Sequence, residues 1–140
     1  MAVRVENLNE VLKAFELLND KVSGEWVIGF LTGIGEEMHN VALNTKTYKD
    51  VSGFLTSSIG YGVFAGGQLV KVGGFTGEGV AVGTALLQSM ASDIGDRPAM
   101  VLVAAAPYAS YVERNGFVVL DGARLNATGI VEHNITNLQL

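Results

Sequence analysis

The sequence predicts one domain that mixes helices and strands, on three observations. Apolar residues recur at helical spacing near both ends of the chain and again in its middle. A Gly66-Gly67 pair separates two short runs that alternate in side-chain size, which is the signal of a β-hairpin. Residues 100–105 form a continuous apolar run, short enough for a buried strand. The 140 residues suffice for one core without disulfides or metals, and there is no cysteine with which to make a thiolate site. Nearly half the residues are apolar (49%) and 16% are charged, so disorder is excluded as the default state.

Taken in order, Asn7 is placed to cap a helix with Glu10 as its capping-box partner. Leu8, Val11, Leu12, Phe15 and Leu18 then share one face. After Ser23-Gly24 a longer stripe follows: Val27, Leu31, Ile34, Met38 and Val41, reaching about residue 43. Gly29, Gly33 and Gly35 lie inside it, each costing a helix about 1 kcal/mol relative to alanine. Close packing against a neighbouring element would offset that cost. Residues 44–53, NTKTYKDVSG, read as an exposed polar loop in which Lys46 and Lys49 flank Tyr48.

Strands are expected at residues 59–64 and 69–72. In the first, Ile59, Tyr61 and Val63 line one face and the opposite face starts nearly bare, with Gly60 and Gly62. The Ile59 face is expected to pack on the N-terminal helices at Gly29 and Gly33. A helix over residues 79–94 has Val82, Leu86, Met90 and Ile94 in register, and Gly95-Asp96-Arg97-Pro98 ends it. After the 100–105 strand, Pro107 suits the first turn of a short helix in which Tyr108, Tyr111 and Val112 share a face, and Gly116 stops it. A brief strand at 117–120 and a helix at 121–138, with Leu125, Val131, Ile135 and Leu138 along one side, complete the chain.

Little chemistry rises above this framework. The formal charge of −5 argues against a dedicated nucleic-acid binder. No secretory leader is expected at MAVRVENLNE, and the chain reads as a soluble protein made in the cytoplasm. The Asn126 and Asn134 glycosylation patterns carry no weight without such a leader. Glu36 and His39 form one E-x-x-H step, where a carboxylate di-iron site needs two such steps and two further acids, so no metal is expected. No GxSxG elbow and no phosphate-loop motif is present. The stretch GGFTGEGVAVGTALL resembles the acetyl-coenzyme A loop of the GNAT acetyltransferases, over a likeness covering residues 68–121. Glu78 and Ala81 replace the family's basic or amide residue and first glycine, while Gly83 is kept. That likeness implies an acetyltransferase with a degenerate loop as the alternative reading.

Two further segments together resemble the tail-completion and neck proteins of long-tailed bacteriophages, also termed minor capsid or head–tail joining proteins. The first is TYKDVSGFLTSSIGYGVFAGGQLV, residues 47–70, similar to the family's aromatic loop, its T-G-N-L-R-x-S-I-like turn and the following hairpin. The second is MVLVAAAPYASYVERNGFVVLDGARL, residues 100–125, similar to the family's apolar strand, Y-A-x-Y-V-E corner and closing helix. Ser52-Gly53-Phe54-Leu55 stands where the family has Thr-Gly-Asn-Leu, and Thr56 replaces a common arginine.

The resemblance implies an α+β fold, a small mainly antiparallel sheet packed against long N-terminal and C-terminal helices. It implies a non-enzymatic virion protein without a cofactor, made in the bacterial host and built into a ring at the head–tail junction. Its partners would be further copies of itself, sixfold by the same resemblance, and other neck and tail proteins, with no membrane. DNA would pass through the lumen without specific binding. Candidate interface residues are Lys46, Tyr48 and Lys49 of the polar loop and Tyr108, Tyr111, Glu113 and Arg114 of the late corner. The tyrosine rings are expected beside the hairpin, with the Glu113-Arg114 end exposed. The glycine-rich segment 73–83 is a further candidate for interface, with a core-lining loop as its alternative.

Overall fold

In the computed structural model, which describes residues 1–5, 24–50 and 52–136, the chain runs β1 (Ala2–Val5), α1 (Gly24–Thr45), α2 (Phe54–Ser57), β2 (Ile59–Ala65), β3 (Gln68–Gly73), α3 (Gly79–Ile94), β4 (Ala99–Ala104), α4 (Ala109–Arg114) and α5 (Asp121–Thr136). The helix expected at residues 7–18 lies outside the described residues, as does Leu138. The fold is α+β, with four strands in the order β1-β4-β2-β3 and every neighbouring pair antiparallel. No helix among the described residues is long and apolar enough to cross a membrane.

The apolar run of β4 is explained by its place beside β1 and β2, with helices over both faces. All six of its residues are buried. Met100, Leu102 and Ala104 join a core with Ile59, Tyr61 and Val63 of β2, roofed by α1 and α5. Ala99, Val101 and Val103 turn the other way and meet Phe64 and Leu87 under α3. A strand covered on both sides has no polar face to show, so it reads as continuous rather than alternating. The N-terminal strand β1, which helical and turn signals do not reveal, supplies Val3 to the first core and borders β4.

Gly66 and Gly67 make the hairpin turn at φ 60° and 79°, the left-handed pair that a two-residue turn between twisted strands requires. The bare face of β2 is filled from outside the strand. A Cβ at Gly62 would strike Leu87 and Leu69, and one at Gly60 would strike the Phe75 ring. On the other face the expected packing of Ile59 toward α1 is observed, with Ile59 fully buried in the same core as Leu31, Ile34 and Met38. The glycines responsible differ from those expected. Among the described residues nothing lies within 4 Å of a Cβ placed on Gly29 or Gly33, whereas one on Gly35 would sit 2.6 Å from the Tyr61 ring. Tyr61 is held between Gly35 and Gly73, and its hydroxyl donates to the Glu36 carboxylate at the rim of α1.

Three other expectations need correction. The buried face of α3 is Gly79, Gly83, Leu87 and Ile94, and Val82 is exposed, because the glycines let the helix close on the Ser57 backbone and the Phe75 ring. The segment 73–83 divides: Gly79 and Gly83 line the core, while residues 76–78 and 80–82, Val80 and Val82 among them, are exposed. Helix α5 buries Ala123 and Ile130 and leaves Leu125 74% exposed, so small residues face α1. Residues 117–120 are not a strand but a turn into α5.

Ile59→Ala should cost about 2–5 kcal/mol in chemical denaturation as a core truncation. The α1 glycines should separate in sign. Gly35→Ala should lose about 1–3 kcal/mol by overpacking against Tyr61, while Gly29→Ala and Gly33→Ala should each gain about 0.4–1 kcal/mol in the isolated chain. Equal effects at all three positions would contradict the Tyr61 clamp.

Candidate functional site

The segments after α1 and after β4 are tied together at one end of the sheet. Asp50 accepts hydrogen bonds from the Gly53 N–H at 3.0 Å and the Thr56 N–H at 2.7 Å, which turns the chain into α2. Burial pushes the Asp50 carboxyl up, but the Thr56 hydroxyl and the N–H groups of Thr56, Gly53 and Leu55 outweigh it and hold the carboxyl below its usual range. Ser58, fully buried, donates to the Leu55 carbonyl at 2.8 Å and accepts the Ala106 N–H at 3.0 Å. The Ala105 N–H reaches the Ser58 carbonyl at 3.0 Å. Further out, the Thr47 N–H donates to the Val118 carbonyl at 3.2 Å, and the Val118 N–H returns to the Thr47 hydroxyl at 2.7 Å.

Between these ties lies a cleft of about 380 Å³. Tyr48, Lys49, Asp50 and Leu55 form one wall, and Tyr108, Tyr111, Val112 and Phe117 the other. Four of the candidate interface residues, Tyr48, Lys49, Tyr108 and Tyr111, thus share a single feature. Its outer rim is aromatic and open: Tyr108 is 41% exposed, Tyr111 64% and Phe117 47%. Large apolar side chains grouped in this way on a surface mark a contact site more often than scattered ones do.

Within the group, roles differ from those expected. Lys46 and Lys49 are exposed, as a polar loop should be, but Tyr48 is only 8% exposed and belongs to the core. Its hydroxyl meets the Thr56 hydroxyl at 2.9 Å. The Lys46 ammonium lies 5.5 Å from the centre of the Tyr48 ring and 3.3 Å from the Thr56 hydroxyl. Burial raises the Tyr48 pKa against the Thr56 hydrogen bond, with Asp50 and Tyr108 adding to the rise. Tyr108 and Tyr111 stand beside α2 rather than the hairpin, with Tyr108 6.4 Å from Phe54 between ring centres.

Glu113 is the clearest correction in the corner. Its Oε1 accepts N–H groups from Val119 at 3.3 Å, Leu120 at 3.2 Å and Asp121 at 2.8 Å, capping the start of α5. Only Arg114 of the pair is exposed. Phe117 and the capping roles of Asp50 and Glu113 escaped the sequence reading. An Asp three residues before a glycine was the one available signal for the first.

A second cluster gathers the E-x-x-H step of α1. His39 lies against Gly74, its Nε2 is buried without a hydrogen-bond partner among the described residues, and Glu36 is engaged by Tyr61. Burial lowers the His39 pKa, with the Glu36 carboxylate and backbone hydrogen bonding at Ile59 pulling upward and not cancelling it. Among the described residues no group of three or more histidine, aspartate or glutamate side chains is placed to hold a metal ion.

In comparison with known proteins, no family model matches the chain, and neither does any curated protein or solved structure at a significant level.

Glu113→Ala should cost about 1–3 kcal/mol, since it strips a charged acceptor from three N–H groups, while Arg114→Ala should stay within about 0.5 kcal/mol of wild type. The pH dependence follows from His39. A histidine whose pKa is lowered by folding protonates first in the unfolded chain, so its contribution is complete above pH 6.5 and is lost as pH falls from there toward the folded pKa. The urea midpoint should drop through that window in wild type and stay flatter in His39→Gln. An identical slope in the variant would remove His39 from the account.

Proposed function

We propose that this protein is a structural component of a long-tailed bacteriophage, assembled as a ring at the head–tail junction where it completes the tail or joins it to the neck. The observation that carries the reading is spatial. The two segments that resemble the family, residues 47–70 and 100–125, are hydrogen-bonded to each other through Ser58, Thr47 and Val118. Together they present an open aromatic cleft with Lys49 in its wall and Lys46 exposed beside Tyr48. A surface of that kind is suited to a neighbouring protein, with rigid aromatic anchors at the centre and charges at the edge. The chain's net charge of −5 accords with a channel whose wall repels phosphates and lets DNA slide. The glycines that invited an acetyl-coenzyme A reading are used in packing, Gly79 against the Ser57 carbonyl and Gly83 against Phe75.

The test is genetic and structural. A null allele in the phage that carries the gene should accumulate filled heads and separate tails, and particles made with the wild-type gene should show a ring of this protein at the junction. Tyr108→Ala/Tyr111→Ala, both exposed and expected to fold normally, should fail to restore joining. Infectious, joined particles from the null allele, or a thermal stabilisation of the purified protein by acetyl-coenzyme A, would overturn the reading.

A further inference from the structure

The cleft's rim has a complement on the same chain. Helix α1 carries Glu25, Glu36 and Glu37 and no lysine or arginine. Glu36 accepts from the Tyr61 hydroxyl and Glu37 from the Asn134 side-chain amide at 2.8 Å, which holds both carboxylates in place on that face, while Arg124 of the neighbouring α5 is paired with Asp121 at 2.9 Å. At the cleft the balance is reversed. Lys46, Lys49 and Arg114 are exposed, whereas Asp50 gives both carboxylate oxygens and the half-buried Glu113 its Oε1 to backbone N–H groups, the Glu113 Oε2 being buried with no hydrogen-bond partner among the described residues. Shape follows charge. Among the described residues the α1 face opens a shallow trough at Gly29 and Gly33, one turn apart, where a Cβ would meet nothing within 4 Å. The cleft side raises Tyr111 and Phe117 as knobs. Glycine lowers helix stability, and no contact among the described residues offsets that loss at these two positions.

We propose that the cleft of one copy docks on the α1–α5 face of the next. Tyr111 and Phe117 lie over the Gly29–Gly33 trough, and Lys46, Lys49 and Arg114 face the carboxylates of Glu25, Glu36 and Glu37. The two surfaces are different, so the contact is head-to-tail, and such contacts close into rings when the rotation closes. Opposed charges fix the register and speed the encounter. The inference rests on the ring reading above and names the face that the cleft meets.

The chain has no cysteine, so an engineered pair reports on one contact alone. In the full-length protein at high concentration and low salt, Gly33→Cys/Tyr111→Cys should oxidise to a ladder of disulfide-linked oligomers, and each single variant should stay monomeric. Lys46→Glu/Lys49→Glu in that background should slow the ladder about tenfold, and adding Glu25→Lys/Glu37→Lys should restore it. Circular dichroism would confirm that each variant is folded. Dimers from Tyr111→Cys alone would mean that the cleft faces its own copy, and a ladder indifferent to charge reversal would reject the charge match. Either result overturns the proposal. So does the absence of a ladder, whether in solution or in particles that do contain the ring. In particles, that last outcome leaves the ring reading standing, whereas particles without any ring reject the reading itself.

Discussion

One serine hydroxyl joins the two halves of the functional end. Ser58 sits where α2 gives way to β2, and its Oγ both donates to Leu55 and accepts the N–H of Ala106, 48 residues further along the chain. It is the one fully buried polar side chain among the described residues. A buried hydroxyl that loses a partner costs its full desolvation, so the geometry around it tolerates little drift. Because β2 starts at Ile59 and β4 ends at Ala104, the hydroxyl fixes where the polar loop and the tyrosine corner leave the sheet. The cleft between them is a consequence of that placement.

The rest of the end is built by the same means, with polar groups spent on backbone. Asp50 shapes α2, Glu113 starts α5, and Thr47 pairs with Val118. Acids that would have coloured the surface are thereby withdrawn from it. What remains at the rim is aromatic carbon and lysine, on a chain whose overall balance is acidic. Recognition properties here come from which charges are internally satisfied, not from composition.

That distinction also marks how far the sequence could be read. The hairpin, the central strand, the α1 stripe and the stop at Gly116 were legible because each rests on a local signal: a turn dipeptide, a continuous apolar run or a period. The face of α3 was misread because a hydrophobic stripe weights Val82 and Leu86 and gives no weight to Gly79 and Gly83, which pack most closely. The same blindness chose Gly29 and Gly33 over Gly35. Residues 117–120 look like a strand by composition, but the N–H groups of Val118, Val119 and Leu120 go to Thr47 and Glu113 side chains instead of a neighbouring strand. Four of the site residues were found from their types. Their arrangement was not, since Tyr48 is a core residue only because Thr56 and Leu55 close over it.

The central claim is that residues 47–50, 52–58 and 105–121 form one rigid unit with the end of the sheet. Native-state hydrogen exchange tests it directly, because amides that open together share one opening free energy. The amides of Thr56, Ala105, Ala106, Val118 and Asp121 should exchange as a group at protection close to that of β4, and Ser58→Ala should lower all of them together. Loop-like exchange at Ala106 and Val118 in the wild-type protein, with β4 still protected, would contradict the account.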